Sequence, residues 1–156
     1  MSTFIPSGQA EATPSPALEN IPFYPNIAPE AFRGAMNIDS TVEIEWVNAS
    51  LQLSMMEINA ELSEWQAEQE LLACTSIADT TSVVYGTENK NQRLYLLAVQ
   101  HLAKARILEG MRNFDSTAEG IRKAEDMGSA IDAHRRESRR AVRAIMGKTG
   151  TVVELI

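Results

Sequence analysis

The sequence predicts an all-α fold, a small helical bundle with an extended N-terminal arm and a short C-terminal β-strand tail. Apolar side chains recur over long stretches at the spacing of one helix face. Alanine, leucine, glutamate and methionine, which favour helices, are plentiful, and only 6% of the residues are aromatic. The length of 156 residues and an apolar content of 44% are typical of one globular domain with a sizeable core.

Three segments are expected along the chain. Prolines among small polar residues at the N-terminus predict that residues 1–22 form an extended arm with no core of its own. Residues 23–147 carry the helical pattern and are expected to form the helical domain. Residues 148–156 form a tail whose β-branched, apolar end predicts a short strand. Such a strand needs an edge on a partner, and its residues are Thr151, Val152, Val153, Glu154, Leu155 and Ile156.

Two helices are expected in the first half of the domain. Proline suits a first helical turn, so one helix is predicted from Pro29 to about Met36. Residues 40–43 read STVE, a capping box, which predicts a second helix from about residue 41 to about Leu72. This helix carries two apolar stripes and is therefore expected to be buried on both sides, centrally in its bundle or between the bundle and another subunit. The stripes are Val42, Trp46, Ala49, Leu53, Met56, Ala60 and Val47, Leu51, Met55, Ile58, Leu62, Trp65.

Two further helices are expected in the second half. Residues 73–87 read as a connection with Gly86 as a breaker. A third helix is predicted for about residues 88–112 and a fourth for about residues 119–146, with Gly147 as its left-handed cap. The third helix shows one apolar stripe, composed of Leu94, Leu97, Ala98, His101, Ala105, Leu108 and Met111.

Four large aromatic residues are candidates for contacts between subunits. Phe23 and Tyr24 lie in a proline-punctuated segment, where they either cover the main core or contact a neighbour. Trp46 and Trp65 lie one on each stripe of the second helix. We expect all four to lie at inter-subunit contacts.

The fourth helix carries five arginines within nine positions. At roughly 100° per residue, the arginines share one face, opposite the apolar face of the same helix. Asp132 lies in the basic arc and could neutralise about one charge. Three interpretations stay open for this face: a solvated surface, a dock for an acidic protein surface, or a surface for phosphates. The residues are Arg135, Arg136, Arg139, Arg140 and Arg143.

A nucleic-acid contact of this face would be insensitive to sequence. The basic arc contains no aromatic residue on which bases could stack. It also contains no asparagine or glutamine to read adenine. Contact would therefore be limited to backbone phosphates.

The charge is divided unevenly along the chain. Residues 1–80 contain twelve acidic residues and one basic residue, Arg33, giving −11, while residues 81–156 contain nine acidic and thirteen basic residues, giving +4. These values agree with the net charge of −7. One negative and one positive half can pack on copies of the same chain or on a charged partner.

No catalytic, cofactor or metal site is expected. The single cysteine, Cys74, excludes an intrachain disulfide and a cysteine-based zinc site. The GKT at residues 147–149 lacks the preceding glycine and strand of a phosphate loop. His101 and His134 lie on apolar helix faces and are expected to be hydrogen-bonded core residues. One helix face is predicted to be a solvated acidic surface or a dock for basic residues, and it carries Glu57, Glu61, Glu64 and Glu68.

Targeting and membrane segments are not expected either. The N-terminus has no basic start and no apolar core, unlike a signal peptide. No apolar run approaches the length needed to span a bilayer.

Three stretches carry a resemblance to a known family. FYPNIAPEAFRGAMNID, EINAELSEWQAEQ and RRAVRAIMGKTGTVVELI occur in this order, the last at the C-terminus. Together they resemble the head-completion protein (L protein, GPL family) of P2-like tailed phages, a head-to-tail connector adaptor. The resemblance covers about Phe23 to Ile156, so it implies that residues 23–147 are an adaptor domain.

The resemblance implies a structural, non-enzymatic role in the virion. Such proteins join the head after DNA packaging, form a ring beneath the portal, retain the genome and present the surface to which the tail attaches. The expected partners are the portal protein, a tail terminator or second neck protein, copies of this chain in a ring expected to be dodecameric, and packaged double-stranded DNA in the lumen. Assembly in the host cytoplasm, without a membrane or cofactor, is expected.

The resemblance and the residues leave two functions to weigh. One is the head-to-tail adaptor, in which the arginine face docks on the portal or lines the lumen; docking on protein is favoured, because DNA must slide through a lumen. The alternative is a sequence-independent nucleic-acid-binding helical protein that uses its arginine-rich helix.

Overall fold

The computed structural model describes residues 15–114 and 118–148 of the chain, and the side chains of residues 114 and 118–125 are outside that description. The predicted, mostly helical architecture is confirmed. The predicted C-terminal strand lies outside the described residues. Within them lie the helices α1 (Pro29–Met36), α2 (Ile44–Glu61), α3 (Ser63–Leu71), α4 (Lys90–Phe114) and α5 (Ala118–Ile145), and the strands β1 (Val84–Tyr85) and β2 (Glu88–Asn89).

Helix α4 forms the centre of the fold and is buried along more than the one stripe that the sequence indicated. The predicted stripe, including Ala98 and His101, faces α5, which packs along α4. A second row faces α2 and includes Tyr95, Val99 and Leu102, which are also buried. At 100° per residue the two rows are roughly 130° apart around the α4 axis. Helices α2 and α5 therefore pack on two different sides of α4.

Polar contacts fix α4 against both neighbours. Ser138 of α5 is buried, and its Oγ donates a hydrogen bond to the Ala98 carbonyl at 2.8 Å. On the other side, Arg106 of α4 pairs with Glu57 of α2. A buried hydroxyl needs a partner, and the Ala98 carbonyl satisfies it within the α4–α5 contact.

The second predicted helix begins later than its sequence signal. Helix α2 begins at Ile44 with Glu43 as its N-cap and without a side-chain cap bond, so the capping box predicted at residues 40–43 is wrong. Instead, Asp39 Oδ1 accepts a hydrogen bond from the Thr41 amide at 2.8 Å, and the Asp39 carbonyl accepts one from the Val42 amide. This aspartate-centred turn competes with the helix for the same backbone groups.

The same predicted helix is also interrupted. Leu62 separates α2 from α3 and has φ −90° and ψ 0°. The Ser63 hydroxyl donates to the Ala60 carbonyl at 2.8 Å, while Leu62 itself stays fully buried. A serine hydroxyl that bonds backward to a carbonyl often bends a helix. The single helix predicted to reach Leu72 is therefore two helices.

The N-terminal segment joins the domain earlier than expected. Leu18 pairs with Ile27 through two backbone hydrogen bonds of 2.8 and 3.1 Å. The Ser15 amide also donates to Glu30 Oε1 at 2.8 Å, so backbone hydrogen bonds tie residues 15–22 to the domain. Within the described part of the chain, residues 15–22 are thus hydrogen-bonded to the domain, and the arm boundary at residue 22 stays a prediction.

Phe23 and Tyr24 cover the chain's own core. Each is 4% exposed, Phe23 meets Trp65 edge to face at 6.2 Å, and Tyr24 stacks on Tyr95 at 4.4 Å. Side chains this deeply buried offer little surface to another subunit. The structure thus favours the core-covering interpretation of these two residues over the inter-subunit contact.

A hairpin stands where the sequence indicated only a connection and the start of the third helix. Val84 pairs with Asn89, and Tyr85 pairs with Glu88. Gly86 has φ +66° and occupies the first turn position, where type II′ hairpin turns favour glycine. Asn89 Nδ2 donates to the Ala78 carbonyl at 2.9 Å, which ties the hairpin to the 3₁₀ turn Ile77–Thr80. Within the described residues, this small sheet departs from the all-α prediction.

A close helix crossing yields a stability prediction. A Cβ at Gly110 of α4 would lie 3.0 Å from Cη2 and 3.2 Å from Cε2 of Trp46 on α2, and nearer still to Cζ2. We therefore expect Gly110→Ala to lower the free energy of unfolding in urea by about 1–3 kcal/mol through overpacking.

Gly34 provides the matched control. It lies in the middle of α1 with nothing within 4 Å of an added Cβ, so Gly34→Ala should raise stability by about 0.5–1 kcal/mol through helix propensity. Equal effects of the two substitutions would contradict the tight α2–α4 crossing.

Candidate interaction surfaces

The outward side of α5 is a continuous basic surface. Its apolar residues Ile131, Ala141, Val142 and Ile145 are buried, and its outward arginines are exposed, as the helical wheel predicted. We call this surface the basic face. It consists of Arg136, Arg139, Arg140 and Arg143.

Three arginines of the basic face have no partner among the described residues. Arg140 pairs with Glu137 one turn earlier. No ion pair joins Arg136, Arg139 or Arg143 to any residue in the described part of the chain. The Arg140–Glu137 pair is exposed and contributes only a few tenths of a kcal/mol to stability. Because the other three arginines are not neutralised within the described residues, the face stays positively charged.

Arg135 does not belong to the basic face. Its guanidinium holds Glu109 of α4, with Nη2 at 2.8 and 2.9 Å from the two carboxylate oxygens and Nε at 3.2 Å from one of them. Both side chains are about one-third exposed. The sequence suggested Asp132 as a partner for an arginine of this face. Arg135 instead binds Glu109, because it lies at the edge of the basic arc that is nearest to α4. Its guanidinium is thus engaged within the chain, and its role as a portal- or DNA-facing residue stays a prediction.

The opposite flank of the fold carries an exposed apolar stripe on α2. Leu53 is 50% exposed and Met56 is 67% exposed, and both lie opposite the buried row of the same helix. Ala49 and Ala60 complete the row, and both are exposed. We call these four residues the α2 stripe. Of the two stripes predicted in this helix, one is thus covered within the chain, and the other is covered at Val42, half-buried at Trp46 and open from Ala49 onward.

Acidic residues border the α2 stripe. Helices α2 and α3 together contain six glutamates and no lysine or arginine. Glu57 is neutralised by Arg106, whereas Glu45, Glu61 and Glu64 are exposed and have no ion-pair partner among the described residues. An apolar centre with a charged border is the usual anatomy of a protein–protein contact.

Further exposed apolar groups lie between α3 and α4. Leu71 and Leu72 at the end of α3 are 88% and 72% exposed. In the hairpin, Val84 and Tyr85 are 57% and 66% exposed. A row of exposed apolar side chains beside an open strand edge is typical of a surface that a partner covers.

Trp46 and Trp65 are half-buried rather than free at the surface. Trp46 packs at the Gly110 crossing, at one end of the α2 stripe, and Trp65 packs against Phe23. Together with Glu61, Glu64 and Glu68, Trp65 lines a cleft that Met146 and Lys148 close at the end of α5. Both tryptophans keep an accessible edge that a neighbouring chain can contact.

The two histidines meet each other between α4 and α5. His101 Nδ1 lies 2.8 Å from His134 Nδ1, so at least one ring must be neutral and accept the hydrogen bond. They are hydrogen-bonded, as the sequence predicted, but half-buried rather than part of the core. Neither contacts a nucleophile or a carboxylate in the described contacts.

This pair makes stability depend on pH. Burial lowers the pKa of both rings; the nearby His101 and Lys104 lower that of His134 further, and Glu137 partly opposes the shift of His101. Because the folded pKa values lie below the unfolded value of about 6.5, the stabilisation is present above that pH and is lost as the pH falls. We expect the melting temperature to drop between about pH 7 and pH 5.

A single-histidine variant checks the assignment. His134→Gln removes one titrating ring and the repulsion between two imidazolium groups. Its melting temperature should therefore fall less over the same pH range, measured by circular dichroism. A decline as steep as that of the unmodified chain would show that other groups cause it.

Two kinds of site are absent from the described residues. Nowhere in residues 15–114 and 118–148 do three histidine, cysteine, aspartate or glutamate side chains cluster in a way that could hold a metal ion. Among the described helices, none combines the length and the hydropathy needed to cross a bilayer.

Comparison with known proteins shows the family. Residues 18–156 match the family model described as phage head completion protein (GPL). The chain belongs to this family. It is also 32% identical over 141 residues to the head completion/stabilization protein of Escherichia phage P2. The aligned region covers 90% of this chain and 83% of that relative. No solved structure matches the chain. The resemblance seen in the three sequence stretches is thereby confirmed.

Membership of the head completion family directs attention to surfaces rather than to a catalytic centre. It is a family of structural head completion proteins. The sequence did not reveal two residues that shape the surfaces of this family member: Glu109, which withdraws Arg135 from the basic face, and Arg106, which neutralises Glu57. Both partners lie on α4, far along the chain from the charges they bind, so no local pattern could have indicated them.

Proposed function

We propose that this chain completes and stabilises a phage head as a structural head-to-tail adaptor. It assembles as a ring beneath the portal, expected to be dodecameric, closes the DNA-filled head and presents the surface to which the tail attaches. The observation that carries the proposal is the match over 90% of the chain to the head completion/stabilization protein of phage P2. The protein then resides in the virion, at the connector between head and tail.

Surfaces left open in the single chain support this role. The α2 stripe, the end of α3 and the hairpin expose large apolar side chains to solvent. Such groups are stabilised when another protein covers them. An adaptor provides several such contacts at once, with further copies, with the portal and with a tail terminator or second neck protein. The terminal residues 151–156 are proposed to add a strand to one of these partners.

The basic face is proposed to dock on carboxylates of a protein. Its three unpaired arginines suit charge-assisted hydrogen bonds to carboxylates. Tight binding of phosphates by the same face would hinder the movement of DNA through a lumen. Nucleic-acid binding is the alternative function, and the same unpaired arginines favour it. A strong salt dependence of affinity for DNA would identify it.

Purified tail-less heads test the proposal. DNA-filled heads that lack their head completion protein are mixed with the chain, and nuclease protection of the DNA and joining of tails are measured. We expect the chain to increase both, and negative-stain images to show a ring at the portal vertex. Salt-sensitive binding to free DNA without any effect on the heads would support the nucleic-acid alternative instead.

Charge reversal on the basic face should abolish head completion without unfolding the chain. Arg136→Glu with Arg140→Glu changes exposed side chains, so stability should change by no more than about 0.5 kcal/mol, while protection and tail joining are lost. Lys90→Glu, also exposed but at the start of α4, is the matched control and should remain active. Retained head completion with lost DNA affinity would refute the proposed docking on protein.

A further inference from the structure

The two strongest unpartnered surfaces lie on different flanks of one chain. Helix α2 packs on one side of α4 and α5 on another, and each turns its buried row inward. The α2 stripe and the basic face are therefore directed away from each other, on either side of the central helix. A chain with two different unpartnered surfaces can bind one further copy at each surface.

The two surfaces also have opposite charge. The α2 stripe is bordered by Glu45, Glu61 and Glu64, all exposed, on helices without a basic residue. The basic face presents Arg136, Arg139 and Arg143, which have no ion-pair partner in the described residues. Complementary charge selects the partner and its orientation.

The apolar part of the contact is complementary as well. The three-carbon stem of each arginine can lie on apolar surface while its guanidinium stays hydrated or reaches a carboxylate. Leu53 and Met56 offer such a surface, and the glutamates at its border can accept hydrogen bonds from guanidinium groups. Methionine adapts its shape readily to a partner surface.

We propose that the α2 stripe of one copy packs against the basic face of α5 on the next copy. This inference rests on the proposed function, because it assigns the lateral contact of the ring. The contact is heterologous, since it joins two different surfaces of the same chain, and a heterologous contact repeats from copy to copy until the ring closes. The carboxylates that the basic face binds are then Glu45, Glu61 and Glu64 of the neighbour.

Site-directed cross-linking tests the contact in the purified full chain. Ala60 borders the contact on α2 and Ala144 borders it on α5, and both are exposed. In a Cys74→Ser background, the double variant Ala60→Cys with Ala144→Cys is treated with a short bismaleimide. We expect a ladder that extends beyond the dimer, whereas either single cysteine gives no species larger than a dimer. A double variant that yields only dimers, or no cross-links, would overturn the proposal.

Charge reversal within the cross-linking variant decides which residues hold the contact. Arg136→Glu, Arg139→Glu and Arg143→Glu together place like charges opposite each other, and so do Glu45→Lys, Glu61→Lys and Glu64→Lys together. Each triple change should reduce the ladder at least about tenfold. An equimolar mixture of the two triple variants should restore it, because negatively and positively charged copies can alternate.

The outcomes separate this contact from the proposed function. If the arginine changes abolish head completion but leave the ladder intact, the basic face docks on another protein. That result would refute the lateral contact and would still support the adaptor function. If the ladder is lost in both triple variants and the mixture fails to restore it, the pairing of these two faces is wrong. Circular dichroism of each variant at matched concentration shows that the helices remain folded.

Discussion

Leu51→Ala should lower the free energy of unfolding by about 2–5 kcal/mol, the usual cost of truncating a fully buried leucine. Leu51 has no exposed surface and lies on the inward row of α2 that packs on α4. The substitution removes its contacts and leaves a cavity that the surrounding helices fill only in part. Urea denaturation monitored by far-ultraviolet circular dichroism measures the loss.

Leu53 is the matched control on the same helix. It is the same residue type two positions further on, but it is 50% exposed. Leu53→Ala should therefore change stability by no more than about 0.5 kcal/mol. It should, however, weaken the cross-linked ladder, because Leu53 lies in the proposed contact between copies. A large loss of stability from Leu53→Ala would mean that the α2 stripe is covered within the chain.

Leu51 and Leu53 also show why the sequence predicted helix α2 but not which of its two apolar stripes is buried. The spacing of apolar residues correctly indicated two stripes on α2, because periodicity depends only on local geometry. Which stripe enters the core depends on where α4 lies, and that is decided by contacts far apart in the sequence. The chain buries Val47, Leu51 and Met55 and leaves the other stripe open at Leu53 and Met56.

Local signals were reliable where no other interaction competed with them. Proline at the first turn placed α1 at Pro29–Met36, as predicted. Gly147 has φ +69° and ends α5 as the predicted left-handed cap. The capping box failed because a neighbouring side chain, Asp39, engages the Thr41 amide. The hairpin was missed because strands of two residues carry no readable alternation.

The basic face illustrates the same limit for the candidate site. The helical wheel identified the shared face of the arginines, because only spacing was needed. It could not identify Arg135 as structural, since its partner Glu109 precedes it by 26 residues. Charges become available for a partner only after the fold has satisfied the others.

Asn20→Ala should be the most damaging change in the N-terminal segment. Asn20 Nδ2 donates to the Tyr95 hydroxyl at 2.8 Å and to the Pro25 carbonyl at 3.0 Å. Its Oδ1 accepts from Asn59 Nδ2 at 2.9 Å, and the Tyr95 hydroxyl donates to Asn59 Oδ1 at 2.6 Å. Three side chains from the N-terminal segment, α2 and α4 therefore close one cycle of hydrogen bonds.

Removing Asn20 leaves polar groups of this cycle without partners. Each buried group left unsatisfied costs about 1–3 kcal/mol, and burial here is deep enough to raise the pKa of Tyr95 to about 12. We expect a loss in the upper part of that range, measured by urea denaturation. Asn113→Ala, at an exposed position near the end of α4, is the control and should be neutral or slightly stabilising through helix propensity.

A double-mutant cycle between Asn59→Ala and Tyr95→Phe would establish that the hydrogen-bonded side chains of Asn20, Asn59 and Tyr95 act as one unit. Because the two side chains share a hydrogen bond and a common partner in Asn20, their effects should deviate from additivity by about 0.5–3 kcal/mol. Additive effects would mean that each side chain is satisfied independently, and the N-terminal segment would then be held by the Leu18–Ile27 pairing and by the packing of Phe23 and Tyr24. A coupled cycle instead makes the attachment of this segment cooperative with the α2–α4 contact.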